Sequence, residues 1–376
     1  MMKHISSNKN LHIYQADDSN SDNFVFHIIL LRSSLAELLG EYGAASLASC
    51  WIKSVAEKIL NANVRVSEWG SSIHISIDAP LARAQNLFEF ASALGAYPKG
   101  DHEIFRSAAL GELRAELVSD AIEFQNLAFS KRWIGCAPET FRMPARAAAM
   151  QTITPDAAQT WFARNWNRET VVCVGAAKNL EVIKLFQQFC AALQTGEQTP
   201  VADLEAAPGG TVFLSGDFVG IVVPVRAHAS PKELWMARTL AEHIQLVVPE
   251  KIEIATHLDG AGSALLFWTQ QQDRARAAAW LDLIRDACKK TLDWNLFEEE
   301  MVRKDFQDDF ETMRTRLQSD AAQLDMIVES VRMNQNPIDP RKSLTAIERV
   351  TDAEMREFAG QIFNEGYMQM FVENPH

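Results

Sequence analysis

Two stretches of this chain run in register, 197 residues apart and without a gap. Ile153-Thr154-Pro155-Asp156 through Trp166-Asn167 to Val171 aligns with Val350-Thr351-Asp352-Ala353 through Phe363-Asn364 to Met368. Each copy reads as a capped helix leading into a strand, with Thr154 as cap and Pro155 at the first helical position in the first copy. A repeat of that spacing in 376 residues points to a duplicated domain. The surrounding pattern agrees. In the first copy, strands at Leu11–Gln15 and Phe24–Leu31 flank the turn-rich Asp17–Asn23, and a helix follows over Leu38–Leu60. Strands at Val64–Glu68 and Ile73–Ile77 join through Trp69-Gly70-Ser71-Ser72. Helices over 81–94, 102–133 and 155–166, a strand at 170–174 and a helix over 180–193 complete the unit. The second copy repeats the order, with strands at 211–214, 220–226, 253–257, 264–270 and 367–373. Its helices cover 231–247, 274–290, 296–333 and 352–363. The expected fold is α+β: two tandem, duplicated lobes, each a mainly antiparallel β-sheet covered by helices. The expected boundaries are 1–195 and 211–376, with the Gly-, Pro-, Thr- and Glu-rich 196–210 as linker.

Charge is unevenly shared between the copies. Residues 1–195 hold 18 basic and 19 acidic side chains, whereas 196–376 hold 18 and 30. An acidic chain without basic clusters argues against nucleic acid and anionic membrane as partners. The acidic half reads either as a solvated surface or as a wall facing a basic peptide. No apolar run approaches the roughly 18 residues of a membrane span, and residues 1–10 lack a secretory apolar stretch. Five cysteines without CxxC spacing suit reduced thiols and a cytoplasmic location, each as a small apolar core residue.

After the first strand pair the chain reads Leu31-Arg32-Ser33-Ser34, then Gly43-Ala44-Ala45-Ser46-Leu47-Ala48-Ser49-Cys50-Trp51. This resembles the pitrilysin and mitochondrial processing peptidase family, the inverzincins. There, G-x-A-H-x-x-E-H follows a strand and a Gly-Ser-type turn, and a long helix carries V-x-x-E, here Ala109-Leu110-Gly111-Glu112. The resemblance extends along nearly the whole chain in element order and implies a pitrilysin-like half-clamshell. It also implies where the chemistry has gone. In H-x-x-E-H the i and i+4 histidines give two imidazoles to zinc, the glutamate activates water, and a distant acid completes the ligand set. Here those positions hold Ser46, Ser49 and Cys50, with only Glu112 retained. Serine is a poor zinc ligand, so no metal and no cofactor are expected in this chain. Glu112 reads equally as a solvated helix carboxylate. In the second copy, Thr239-Leu240-Ala241-Glu242-His243 falls one residue short of the motif. The Arg and Tyr that the family's second lobe supplies have no counterpart in Phe267-Trp268-Thr269-Gln270-Gln271-Gln272.

The resemblance implies a non-catalytic subunit that encloses a peptide with a homologous zinc-bearing chain. A peptide-binding or scaffold protein without proteolysis, and an enzyme with an unrecognised site, remain the alternatives. In the family, the strand after the zinc helix lies at a sheet edge and pairs with the substrate backbone. Its match here is Val64, Arg65, Val66, Ser67 and Glu68, which alternates as such a strand must. Arg65 and Glu68 equally fit the charge protection of an ordinary edge.

Overall fold

The computed structural model describes residues 3–8, 10–15, 22–116, 119–178, 180–196, 203–214, 217–271, 273–295, 300–334 and 336–373. Most of the expected 17–23 turn, 197–202 of the linker, 296–299 of the long second-copy helix and Gln272 lie outside the described residues.

The first half runs β1 (Lys3–Asn8), β2 (Leu11–Gln15), β3 (Asn23–Leu30), α1 (Ala44–Leu60), β4 (Asn63–Glu68), β5 (Ile73–Pro80), α2 (Leu87–Ala93), α3 (His102–Glu116), α4 (Asp120–Arg132), α5 (Pro138–Phe141), α6 (Met143–Thr152), α7 (Pro155–Asn165), β6 (Val171–Ala177) and α8 (Leu180–Ala192). The second runs β7 (Gly210–Leu214), β8 (Phe218–Val225), α9 (Pro231–Val247), β9 (Glu253–His257), β10 (Ser263–Gln270), α10 (Arg274–Lys290), α11 (Glu300–Arg316), α12 (Asp320–Asn334), α13 (Pro340–Glu348), α14 (Asp352–Ile362) and β11 (Gln369–Glu373).

One sheet is ordered β1-β2-β6-β3-β5-β4 and the other β7-β11-β8-β10-β9. Leaving out β1, both place their strands first, last, second, fourth, third. In each, the first and last strands pair in parallel and every other neighbour is antiparallel. This shared topology is what the repeat requires. The repeat's own helices, α7 and α14, are each 11 residues long and each begin on a threonine whose side chain caps the first turn.

The first sheet buries Phe24 and Phe26 against α8, with Phe26 stacked on Phe186 at 4.6 Å between centroids. Gly175 in β6 makes room for that ring: a Cβ there would lie 2.6 Å from Phe186. Burying a phenylalanine side chain contributes about 1.5–3 kcal/mol. Every residue of β6 is buried, as expected for a strand covered on both faces.

The cover on the second face departs from the expected layout. The long helices expected over 102–133 and 296–333 are each two helices. Ser119, in an extended conformation, starts α4. In the second half α11 stops at Arg316, turns through Leu317–Ser319, and resumes as α12. Both breaks carry Leu-x-Ser-Asp-Ala, at 117–121 and 317–321. The favourable start offered by Ser-Asp competes with helix continuation at each site. At these breaks the chain also changes compact unit. One unit comprises Met1–Val118, Pro138–Ala202 and Arg316–Ile338; the other comprises Ser119–Ala137, Asp203–Thr315 and Asp339–His376. The contiguous halves thus trade one segment each. In the first unit, Leu324, Ile327, Val328 and Val331 of α12 form a cluster with Ile29, Leu31, Val172 and Val174. In the second, Phe124 of α4 lies 5.4 Å from Phe218 and 6.2 Å from Trp268.

Candidate functional site

α1 begins at Ala44 rather than Leu38, because Gly43 takes φ +98° and the preceding segment turns on itself. That turn is fixed by two buried acids. Glu37 accepts hydrogen bonds from the Gly43 and Ala45 N–H groups at 3.0 and 2.8 Å. Glu41 accepts from the Leu38 N–H at 2.9 Å and pairs with Arg164 at 2.6 Å.

On the helix, Ser46 and Cys50 lie one turn apart on one face. Ser49 donates its hydroxyl to the Ala45 carbonyl at 3.0 Å. Glu112 of α3 approaches Cys50, with Oε2 3.8 Å from Sγ, and pairs with Lys53 at 3.3 Å. The four positions singled out by the resemblance thus split. Ser46, Cys50 and Glu112 share one region, whereas Ser49 is satisfied within its own helix. Burial, followed by the charges of Glu112 and Glu68, pushes the Cys50 thiol up to about 12. At neutral pH this is a protonated thiol rather than a ligand. A hydroxyl, a protonated thiol and a carboxylate already paired with lysine do not fit zinc. Among the described residues no group of three or more His, Cys, Asp and Glu is placed to hold a metal.

The residue that does occupy the face of Ser46 is Arg146 of α6. Its Nη2 donates to Ser46 Oγ at 2.9 Å and to Glu68 at 2.5 Å, and its Nη1 to Glu37 at 3.1 Å. Ser46 in turn donates to Glu68 at 2.8 Å, and Ser33 donates to the other Glu68 oxygen at 3.2 Å. The guanidinium is 7% exposed and the Glu37 carboxylate fully buried. Burial by itself would weaken Arg146's hold on its proton; the Glu37 and Glu68 carboxylates overcome this and keep it firmly charged. Sequence reading passed over Arg146 because a lone arginine in Ala145-Arg146-Ala147-Ala148-Ala149 looks solvated, and its partners lie 78 to 109 residues away.

Among the described residues β4 lies at the sheet edge, paired with β5 alone. Val64 is buried and Val66 half-buried toward the core, while Arg65 and Ser67 face outward and are exposed. Glu68, which on sequence fits either a peptide-binding or a charge-protected edge, turns its carboxylate into the Arg146 cluster.

In the second unit, Thr239 is buried on α9 and His243 stacks on Trp294. Burial raises the Glu242 carboxyl above its usual range.

No family model matches the sequence, and no curated protein matches it. Solved structures do match in fold. A protease from Helicobacter pylori aligns with a TM-score of 0.77 at 11% identity, over 100% of this chain and 99% of that one. A peptidase M16 inactive domain from Pseudomonas fluorescens aligns at 0.74 and 11%, over the full length of both chains. A chain of complex III2 from Candida albicans aligns at 0.70 and 10%, over 98% of this chain and 94% of that one. The chain therefore has the duplicated, two-lobed fold of the pitrilysin-like M16 peptidases, with Ser46, Ser49 and Cys50 where the resemblance puts the metal motif.

Proposed function

We propose that this chain is the non-catalytic subunit of a two-chain pitrilysin-like peptidase. It binds an extended peptide along β4, through Val64–Glu68, while a homologous chain bearing H-x-x-E-H holds the zinc and cuts. In this reading the first lobe (1–195) carries the degenerate motif, this chain holds no metal, and it helps the zinc-bearing partner to enclose the peptide. The observation that carries the reading is the pairing of an ion cluster at the motif positions with an open strand edge. An edge strand offers main-chain donors and acceptors to an extended peptide.

The test has two arms. Tagged chain is purified from its native host and the bound proteins are identified by mass spectrometry. An H-x-x-E-H-bearing homologue that cleaves peptide only when recombined with this chain supports the proposal; equal cleavage by the homologue alone sinks it. In the recombined pair, Val66→Pro and Ser67→Pro are compared. Successive N–H groups alternate in direction along a strand, so one of the two variants deletes an outward donor. Unchanged cleavage by both folded variants would remove β4 from the site. The likeness to a complex III2 chain favours a second reading, a scaffold without proteolysis. A stable assembly that forms with partners lacking H-x-x-E-H would establish it.

A further inference from the structure

The disagreement between the motif positions and zinc has a specific form, because the place is not left without a cation. Arg146 donates to Ser46, which stands at the first motif position, and binds Glu37 and Glu68 around it. Those three partners belong to different parts of the first unit: the start of α1, the end of β4 and the turn between β3 and α1. We propose that Arg146 is a resident cation that takes over the structural part of a metal's work, holding the end of the edge strand against the helix. The link to β4 runs through Glu68, the last residue of that strand. Glu68 receives three hydrogen bonds or ion-pair contacts from three side chains, Ser33 and Arg146 on Oε1 and Ser46 on Oε2, and Arg146 is also bonded to Ser46.

The chemistry supports a positioning role. A guanidinium offers five donors in a planar fork and stays charged when buried. It bridges two carboxylates and a hydroxyl here without needing a thiolate or an imidazole. It supplies neither an open coordination position nor a Lewis-acidic centre, so it orders the edge without activating water. Without it the buried Glu37 carboxylate and the partly exposed Glu68 carboxylate would each lose their counter-charge, so the arrangement depends on this one side chain. This inference rests on the peptide-binding reading only for its purpose; the mechanical link between Arg146 and β4 stands without it.

Hydrogen exchange on the full chain, resolved by mass spectrometry, tests the link. Arg146→Met and Glu68→Gln are each expected to speed exchange across residues 63–68 by about 10-fold more than across β3 and β6. The double variant should be no faster than the faster single one, because both remove the same connection. Arg146→Lys, a charge without the fork, should fall between wild type and Arg146→Met. Unchanged exchange in β4, or the same acceleration in every strand of the unit, would overturn the proposal. Should Arg146→Met fail to fold, Glu68→Gln and Arg146→Lys decide, since the Glu68 side chain is partly exposed. A second arm titrates zinc into the Ser46→His/Ser49→Glu/Cys50→His variant with and without Arg146→Ala. At least 10-fold tighter zinc binding without the arginine is expected, and equal binding in the two overturns the claim that Arg146 holds the metal's place. Loss of peptide binding in wild type would end the functional reading and leave the exchange result intact.

Discussion

α1 and α9 occupy the same step in the two copies, each 17 residues long and each following a strand pair, yet their beginnings are built differently. α9 starts from its own sequence. Ser230 and Glu233 form a reciprocal capping box, and Pro231 fits the first turn. α1 has no side-chain cap of its own; its first N–H groups are satisfied by Glu37, which is held by Arg146. One start is local and self-sufficient, while the other borrows its stability from residues more than 100 positions away. The difference lies where the resemblance places the metal motif: the helix carrying those positions is anchored at long range, and its counterpart is capped locally.

Removing each anchor tests that contrast. Hydrogen exchange read strand by strand lets each unit report separately. Arg146→Met should lower the stability of the first unit by about 3–5 kcal/mol, the usual result of stranding one side of a buried ion cluster. A loss under 1 kcal/mol would erase the proposed contrast with α9. The next effect is pH-dependent and also belongs to the first unit. His27 Nδ1 lies 2.9 Å from His74 Nε2. Burial, then the neighbouring His74, lowers His27 to about 3; burial, then Arg332, against a smaller opposing pull from Glu329, lowers His74 to about 4. Both rings bind protons less readily when folded than when unfolded. Stability is therefore full above about pH 6.5 and falls as the pH drops from there toward about 4. By pH 5 the loss should reach up to about 2 kcal/mol per histidine. Protection of β3 and β5 that does not change between pH 7.5 and 5 would break this assignment. The smallest expected effect is in the second unit, where Ser230→Ala should cost about 1 kcal/mol and leave β4 untouched. A larger loss would mean that α9 also depends on distant partners.

The same contrast explains what could be read from sequence. α9, α10, β2 and β9 fall at their expected bounds, because caps and alternation are local signals. The repeat around α7 and α14 foretold the duplicated domain for the same reason. α13 was missed although Asp339-Pro340 is a readable start, with Asp339 capping the Arg341 N–H at 2.9 Å. The breaks at Ser119-Asp120 and Ser319-Asp320 were also present in the sequence, as one motif twice, but continuous helical periodicity hid them. β4 was placed at an edge by the resemblance and lies at one. Arg146 left no local trace: its role is set by Glu37, Ser46 and Glu68, which only the folded chain brings together.

The traded segments carry a consequence for biosynthesis. A ribosome making this chain releases residues 1–195 well before 316–338, so every strand of the first sheet is available while α12 is still untranslated. Until then Ile29, Val172 and Val174 have no helix to lie beneath, and that apolar face is open to chaperones or to other nascent chains. The second sheet has no such wait, since α4 is already synthesised when β8 and β10 emerge. A stop codon late in the gene would therefore harm the beginning of the protein as much as its end.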